Sequence, residues 1–494
     1  MSGLQQHRWL KALVYRALPV VLLVGCATPP PSARSRLPVD VPAGYAAEGG
    51  VEASASDGSR GWLADFNSEE LNALVMEALT SNYDLQITAA RLDVSRAGAV
   101  IEGASQYPQV SAGLSGSRQK RNFIGFPFGG GGGVPSTTSN NYGLSLDISW
   151  ELDVWGKLRD RESAALGEVQ ATAADYAGAR LSLAAQTTRA WFGLIEAELQ
   201  WRLAVETRDS FERNQRIVED RYRRGLAPAF DLRSIQSQTA SAQAEVERRA
   251  RLTGNARRSL EVLLGRYPAD TLTAAASLPV VTRPVPPGLP STLLERRPDL
   301  IAAERRLASA DKRISEARKA MLPSISLTGS GGTATDQLKD LLDSSFSVWT
   351  LAGNALQPIF QGRRLIAGVE RSKAEYQERL AAYAQVTLVA YREVEDALAA
   401  EQFLVEQEKA LNEAARQAEA AQNLAWQRYR QGVGDITSAL VAERTAFESQ
   451  RNALLLRRER LINRVDLYLA LGGDFSDRPD ATTAALMETV SYHD

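Results

Sequence analysis

The sequence has almost no cysteine or histidine. Cys26 is its one cysteine, and its two histidines, His7 and His493, lie near the ends of the chain. Residues 27–492 therefore offer no disulfide, no thiolate or imidazole metal ligand, and no serine–histidine or cysteine–histidine catalytic pair. Carboxylate chemistry is not excluded, but the sequence favours a protein that is not an enzyme, and it predicts no cofactor or metal.

The sequence also lacks the charge bias of a nucleic-acid-binding protein. The net charge is −2 over 494 residues, so nucleic acid is not an expected partner. After the N-terminus, no stretch reaches the roughly 18 consecutive apolar residues that a membrane-spanning helix needs. The length allows a large core or several domains, so the organisation has to come from patterns along the chain.

The N-terminus resembles a bacterial lipoprotein signal. A basic segment precedes the apolar run 17–24, which is too short to span a membrane permanently. The run ends in Leu-Val-Gly-Cys, which resembles the lipobox, and in that class of signals the cysteine is lipidated and becomes the mature N-terminus. We therefore expect a signal peptide over residues 1–25, lipid on Cys26, and an extended linker over 26–61. A buried or free thiol is the alternative.

One short motif occurs twice, 207 residues apart. Residues 222–226 read Tyr-Arg-Arg-Gly-Leu, and residues 429–433 read Tyr-Arg-Gln-Gly-Val. Each copy is followed by a helical pattern that closes in Leu-Gly, at Gly265 and Gly472, and 472 − 265 is again 207. Glycine suits a helix C-cap because it adopts positive φ without steric penalty. The shared register predicts two tandem repeats, each with a helix–turn–helix tip.

An earlier part of each repeat aligns at a different spacing. Pro108 and Pro323 each end a helical pattern, the first of which covers residues 62–107, and 323 − 108 = 215. A proline-rich stretch separates the two repeats. The predicted boundaries are a first repeat at 62–265, a connector at 266–290, a second repeat at 291–473 and a tail at 474–494.

After each of these prolines, the pattern changes to the period of two that is typical of β-strands. The clearest strand covers residues 142–154, where apolar residues alternate with small or acidic ones. This predicts a strand with one dry and one wet face, although a strand facing a sandwich core is the alternative. Residues 118–141 predict a loop. The strand near 346–357 is less regular, because Trp349 and Leu351 fall out of phase with Phe346 and Val348.

Two very long helices follow the strands. Residues 369–431 contain neither glycine nor proline, and these 63 residues would form a helix of roughly 95 Å. The counterpart in the first repeat covers residues 157–224. A helix of this length exceeds a globular domain and has to bury one face against other long helices. An ordinary coiled-coil dimer is the alternative.

The two repeats together predict an unusual architecture. Two hairpins give about four amphipathic strands per chain, whereas a closed barrel in a bilayer needs about eight or more. A ring of identical chains would close the barrel and would gather the long helices into a tube. The sequence pattern does not fix the number of chains in the ring.

Several motifs resemble those of one family over about residues 23–475. Besides the lipobox and the two tip turns, these are Trp150 to Gly156, Leu294 to Leu300 (Leu-Glu-Arg-Arg-Pro-Asp-Leu) and Gln357 to Gly362. The chain is similar in these segments to TolC-like outer-membrane efflux lipoproteins, the outer-membrane components of tripartite RND-type efflux systems. Ala27 after Cys26 favours, by the same resemblance, the outer membrane of a Gram-negative bacterium.

The resemblance implies a fold and a function. The fold is mainly α with a transmembrane β-barrel, in which two tandem helix-strand-strand-helix repeats form a trimeric barrel and a long α-helical periplasmic tunnel. The function is an exit duct that passively conducts small molecules, such as drugs or other toxic compounds, from the periplasm to the exterior. The implied partners are two more copies of the chain, a periplasmic adaptor protein, an inner-membrane RND-type transporter and outer-membrane lipid.

The resemblance also implies functional residues at the tips. Adaptors of the family dock at the tip turns, which are Gly225 with Leu226 and Gly432 with Val433 in this sequence. Family entrances are narrowed by aspartates and by a polar network around a tyrosine. Tyr429 matches that tyrosine.

Further gate residues follow from the same comparison. Asp231 matches the acidic position of the first repeat, whereas Ser438 occupies an acidic position of the second, and Asp435 lies nearer the turn. The entrance is therefore expected to be less negative than in the family. The hydroxyl group of Tyr429 is placed to reach Asp231 or Arg430. Simple packing of the tip by the tyrosine is the alternative.

Two other functions stay open. The chain could be a duct for type I protein secretion or metal efflux, because no residue expected in the lumen separates these cargoes. A non-conducting periplasmic coiled-coil lipoprotein scaffold is a different class of function. The alternating strand at 142–154 argues against a scaffold, which needs no lipid-facing strand.

Overall fold

The computed structural model describes residues 28–42, 44–46, 61–124, 134–281 and 290–473. The signal peptide, Cys26 and the predicted tail at 474–494 lie outside these residues. The chain divides into two compact units, and each is described by itself. The sheet unit comprises Met1–Arg36, Asp93–Gln170 and Glu304–Ala381, and the tip unit comprises Leu37–Leu92, Ala171–Ala303 and Ala382–Asp494.

The described residues form four strands and eight α-helices. None of these helices is both long enough and apolar enough to cross a membrane. In chain order the elements are α1 (Glu69–Ser81), α2 (Tyr83–Ala104), β1 (Gln109–Asn122), β2 (Ser136–Leu152), α3 (Lys157–Arg223), α4 (Ala229–Leu263), α5 (Pro290–Arg296), α6 (Pro298–Lys319), β3 (Ser324–Thr335), β4 (Ser347–Leu356), α7 (Arg364–Arg430) and α8 (Ile436–Ala470).

The four strands form one antiparallel sheet in the order β1-β2-β3-β4. Because side chains alternate across a strand, each row of paired residues lies on one face. Neighbouring rows differ sharply in polarity. An apolar row contains Ala112, Leu146, Gly331 and Trp349, and the next row contains Ser111, Asp147, Ser330 and Thr350.

The pairing explains the irregular strand near 346–357. Trp349 and Leu351 lie on the apolar face, where their side chains are 81% and 77% exposed in the single chain. Val348 and Leu356 lie on the polar face, and Phe346 precedes the strand in a 3₁₀ turn. The two residues that seemed out of phase are therefore those that follow the sheet.

Two predicted limits of the first hairpin were wrong. Residues 118–122 and 136–141 belong to β1 and β2, whose pairing extends to Asn122 and Ser136, although a loop was predicted over 118–141. Their polar side chains do not alternate, but the backbone pairing continues. At the other end β2 stops at Leu152 rather than at Val154. The Asp153 carboxylate there accepts hydrogen bonds of 2.9 Å from the first backbone amides of α3 and so starts the helix.

The two repeats have the same helix lengths. The long helices α3 and α7 each have 67 residues, and α4 and α8 each have 35. Their starts and ends are all 207 residues apart, as 364 − 157 and 470 − 263 illustrate. Helices α2 and α6 both have 22 residues but are 298 − 83 = 215 apart. The segment between α2 and α3 in the first repeat is therefore 8 residues longer than the segment between α6 and α7 in the second.

The helix predicted over 62–107 is interrupted. Residues Trp62–Phe66 form a 3₁₀ turn, and α1 starts where the Ser68 hydroxyl accepts the amide of Leu71 at 3.1 Å. Asn82 separates α1 from α2, since its side chain accepts the amide of Leu85 at 3.0 Å. Helix α2 ends at Ala104, four positions before Pro108. Side-chain caps inside the pattern therefore divide it into shorter elements.

Aromatic side chains form the main core of the tip unit. The ring of Phe66 lies 5.1 Å from that of Phe192, and the ring of Trp62 lies 5.7 Å from that of Tyr468. Arg297, from the Leu-Glu-Arg-Arg-Pro-Asp-Leu motif, is buried beside this core. Its guanidinium donates to Glu393 at 2.7 Å and to the carbonyl of Ala470 at 3.1 Å. The motif thus joins α6, α7 and the end of α8.

In the sheet unit, the N-terminal segment lies along the start of α3 and along α6. The hydroxyl group of Ser163 donates to the carbonyl of Thr28 at 2.7 Å, and Arg36 pairs with Asp311 at 3.2 Å. Gly167 permits the close approach, because a Cβ there would lie 2.8 Å from a ring carbon of Pro30. The segment predicted as an extended linker is therefore held by the helices at these points.

Candidate functional site at the helix tips

Both tip turns have the same backbone geometry. In the first, the Leu226 amide donates to the carbonyl of Arg221 at 2.8 Å, and Gly225 has φ of 70°. In the second, the Val433 amide donates to the carbonyl of Arg428 at 3.1 Å, and Gly432 has φ of 78°. This is the Schellman pattern, in which the glycine takes the left-handed conformation that ends the helix.

The two tips differ in how the next helix begins. Helix α8 starts with Asp435, whose carboxylate accepts the amide of Ser438 at 2.8 Å and its hydroxyl at 2.7 Å. Helix α4 starts after Pro228, which offers no side-chain acceptor. These hydrogen bonds also lower the pKa of Asp435, so its carboxylate stays charged at the N-terminus of α8.

The described tip also brings Tyr429 and Asp231 together. The hydroxyl group of Tyr429 donates to Oδ2 of Asp231 at 3.0 Å, across 198 positions of sequence. Tyr429 is 3% exposed and Asp231 is 9% exposed. Arg221 stacks over the tyrosine ring, 5.1 Å from its centroid, and donates to the carbonyl of Arg430 at 3.0 Å. Contacts of this kind join α3, α4 and α7 at the tip.

Burial keeps the Tyr429 hydroxyl in its donating form. Burial and the bond to Asp231 raise the pKa of Tyr429 to about 12. The phenol therefore remains protonated at any pH near neutral, and its hydrogen bond to the carboxylate persists. Tyr222, the equivalent tyrosine of the first repeat, is 43% exposed. The second repeat alone thus supplies a buried tyrosine to the tip.

A buried carboxylate next to this pair was missed by the sequence analysis. Glu443 is fully buried, and its oxygens accept hydrogen bonds from Ser210 at 2.5 Å, Asn214 at 3.3 Å and the Trp426 indole at 2.8 Å. Burial raises the pKa of Glu443. The Trp426 ring meets that of Tyr429 edge to face at 5.7 Å, so the two polar groups share one packed cluster.

The sheet supplies the second functional feature, a face suited to lipid. Apolar side chains on this face are exposed in the single chain, whereas the opposite face carries serine, threonine and Asp147. Burying an apolar face in lipid and keeping a polar face in water is what a sheet needs to line a pore across a membrane.

Comparison with known proteins identifies the family of the chain. The sequence model of the family described as outer membrane efflux protein matches residues 74–266 and 289–473, most of the chain. The chain belongs to this family. This efflux protein is 32% identical to outer membrane protein OprJ of Pseudomonas aeruginosa over 466 residues, which cover 93% of the chain and 96% of OprJ.

Two further relatives match the efflux protein over a similar share of its length. It is 29% identical to the cation efflux system protein CusC of Escherichia coli over 454 residues, 91% of the chain and 96% of CusC. Among solved structures it resembles the open state of the MtrE outer membrane channel of Neisseria gonorrhoeae, with a TM-score of 0.78 and 30% identity. That likeness covers 92% of the chain and 100% of MtrE. The predicted TolC-like fold and the outer-membrane location are confirmed.

The structure assigns the predicted tip residues of the efflux protein to different places. Tyr429 and Asp231 form one pair, but the side chain of Arg430 is exposed and only its carbonyl joins the cluster. Asp435 and Ser438 bind each other at the start of α8. The turn residues Leu226 and Val433 are 63% and 65% exposed. Cys26 lies outside the described residues.

Proposed function

We propose that this outer membrane efflux protein assembles as a homotrimer that forms the exit duct of a tripartite pump. The observation that carries the proposal is the four-stranded sheet with one apolar and one polar face. Within the described chain β1 and β4 each pair on one side only, so both edges of the sheet are open. An edge cannot stay unpaired in lipid, and three copies supply enough strands to close a barrel.

Helix α7 gives independent support for association. Its segment 412–424 carries small and apolar side chains that stay exposed or half-exposed in the single chain, including Ala414, Ala421 and Leu424. Small residues permit close approach of helices. An exposed stripe of small and apolar side chains on so long a helix therefore indicates that another helix packs against it. A second copy of the chain fits, because the same ring that closes the sheet places long helices side by side.

The tip cluster supports a closed periplasmic end. The Tyr429–Asp231 bond and the stacking of Arg221 hold α3, α4 and α7 together, and these contacts can be exchanged without breaking a helix. We assign the gate to Tyr429 and Asp231. Asp435 and Ser438 cap α8 and act on the gate only through the position of that helix.

The remaining partners follow from the exposed turns. A periplasmic adaptor binds the turns at Gly225-Leu226 and Gly432-Val433, and it connects the duct to an inner-membrane RND-type transporter. The cargo is small molecules, such as drugs or other toxic compounds. The name of CusC gives cation efflux as an alternative cargo, and protein secretion is a further one. A non-conducting scaffold does not need the apolar sheet face.

Purified full-length lipoprotein tests the proposed duct directly. We expect native mass spectrometry to find three chains and planar-bilayer recordings to find discrete channels. Deletion of the gene in the native host should raise intracellular accumulation of a fluorescent small-molecule dye, and the intact gene should restore its efflux. A monomeric protein that passes no current would contradict the duct. If the deletion strain exports the dye normally but loses a secreted polypeptide, protein secretion is supported. If it exports the dye normally but accumulates metal, cation efflux is supported.

The path of the N-terminal segment supports lipid on Cys26. Thr28 is bound to Ser163, six positions into α3, and α3 begins directly after β2 leaves the sheet. Residue 28 therefore lies close to the end of the membrane-spanning strand. Only one residue separates it from Cys26, so an acyl chain on the cysteine would reach the adjacent leaflet.

Mass spectrometry of the mature N-terminus tests the anchor. We expect acyl groups on Cys26, and we expect Cys26→Ala with a cleavable signal to lose tight lipid attachment while the sheet still inserts. The chain has no other cysteine, so any thioether-linked lipid has to be attached to Cys26. An unmodified thiol on mature Cys26 would rule out the anchor.

A further inference from the structure

A large groove crosses the helices of the sheet unit. It has a volume of about 1100 Å³ and lies among the first turns of α3, the later part of α6 and the first turns of α7. The floor is α6, where small side chains at helical spacing leave the space open, and the walls carry long basic side chains. The floor residues are Ser309, Ala310 and Ala317 of α6 and Ala320 directly after it.

The groove has an excess of positive charge. Seven basic and four acidic side chains line it, a formal excess of three. Two acids outside the lining, Glu151 and Glu102, pair with Lys157 at 2.5 Å and with Arg161 at 3.9 Å, which leaves an excess of one. The basic residues are Lys157, Arg161, Arg306, Arg313, Arg364, Arg371 and Arg379, and the acidic residues are Glu168, Glu316, Glu375 and Glu378.

Some of these charges are paired and others are not. Arg161 pairs with Glu316 at 2.7 Å, and Arg371 pairs with Glu375 at 3.5 Å. Within the described part of the chain, neither Arg313 nor Arg379 forms an ion pair, and both are exposed. Because no carboxylate of the described residues pairs with these two guanidinium groups, their positive charge is available to a solute.

The groove lies on the water-facing side of the sheet. Glu151 lies on the same face of β2 as Ser149 and Asp147, which is the polar face. Its carboxylate accepts a hydrogen bond from Lys157, which lines the groove. The opposite side of α6 faces the N-terminal segment, where Asp311 pairs with Arg36. Solute that passes along the polar face of the sheet therefore meets the groove.

We propose that this groove is an anion-binding chamber of the duct and that the cargo includes anionic small molecules. The inference rests on the proposed duct and names the charge class of its cargo. Unpaired charge of one sign in a concavity attracts counter-ions and raises their local concentration, and Arg313 and Arg379 supply such charge here. On the polar face of the described sheet, Asp147 and Arg121 carry opposite charges and Glu151 is paired with Lys157, so the groove decides the sign of the local potential.

Citrate is a suitable probe, because it is a compact multivalent anion. In planar-bilayer recordings of the full-length protein, citrate added from the sheet side should block the potassium chloride current. The reversal potential in a potassium chloride gradient should indicate preference for chloride. Both effects should weaken at high ionic strength, since the Debye length falls from about 10 Å at 0.1 M to about 3 Å at 1 M.

Two arginines of α6 make a matched pair of variants. Arg313 lines the groove and Arg318 lies on another side of the same helix, and both are exposed. We expect Arg313→Glu to weaken citrate block, and Arg313→Glu with Arg379→Glu to weaken it by about tenfold and to move the reversal potential toward potassium. Arg318→Glu should leave both measurements as in the unmodified protein.

The same recordings distinguish failure of the chamber from failure of the duct. The recordings are made in two backgrounds, the unmodified protein and the protein with Tyr429→Phe and Asp231→Ala. The second background has an open tip, so a narrow tip cannot determine the ion selectivity that is measured. Channels in which Arg313→Glu behaves like Arg318→Glu would overturn the anion-binding chamber and leave the duct in place. An inserted trimer that conducts in neither background would overturn both.

Discussion

Tyr429→Phe combined with Asp231→Ala should open the periplasmic end of the channel. The change removes the 3.0 Å hydrogen bond between the phenol and the carboxylate and leaves the aromatic packing in place. Loss of a hydrogen bond to a charged group weakens closure by roughly 1–3 kcal/mol. Planar-bilayer recordings should then find larger or longer openings with no pump present, and the trimer should remain intact.

The first repeat supplies the control for this experiment. Tyr222 occupies the equivalent position 207 residues earlier, but its side chain is 43% exposed. Tyr222→Phe removes the same hydroxyl group and should leave the conductance unchanged. If the Tyr429 and Asp231 variant also conducts as the unmodified protein does, the pair only packs the tip and the gate is elsewhere.

Ile148→Arg and Leu146→Arg should each prevent stable insertion. Both residues lie on the apolar face of β2, in rows with Val110 and Ala112 of β1. An arginine facing lipid near the middle of a membrane costs about 2–4 kcal/mol. Outer-membrane fractionation and the heat stability of the trimer on gels should reveal a large loss for both variants.

A neighbouring position tests whether the face or merely the new charge matters. Ser149→Arg introduces the same side chain one position away, on the polar face, where water can solvate it. It should assemble normally, and so should Asp147→Asn. Equal damage from Ile148→Arg and Ser149→Arg would mean that the strand does not separate lipid from water.

Local patterns predicted the sheet because alternation follows directly from strand geometry. The pattern over 142–154 gave the faces of β2 correctly but misplaced both of its ends, the second because Asp153 serves as a helix cap. Val348 made β4 look irregular, since an apolar residue on the polar face, like Leu356 at the end of the strand, disturbs the alternation. Polar stretches such as 118–122 carry no alternation, so their strand pairing was invisible.

The tip cluster was only partly predictable. Tyr429 and Asp231 were found through their match to family positions beside the repeated turns. Nothing in the sequence singles out Glu443, because a glutamate in a helix normally faces water. Its burial depends on Ser210 and Trp426, which come from two other helices. Such a site is created by packing across long sequence separations, and no local spacing indicates it.

The difference between the two caps has a consequence for stoichiometry. Each chain presents two turns with the same backbone but different neighbours, Pro228 beside one and the charged Asp435 beside the other. Threefold symmetry would arrange these turns in alternation around the entrance. An adaptor with a single binding surface then meets two chemically distinct places. Six adaptors can bind one trimer only if the adaptor surface accepts both kinds of turn. An adaptor that requires the Asp435 carboxylate would bind at three places.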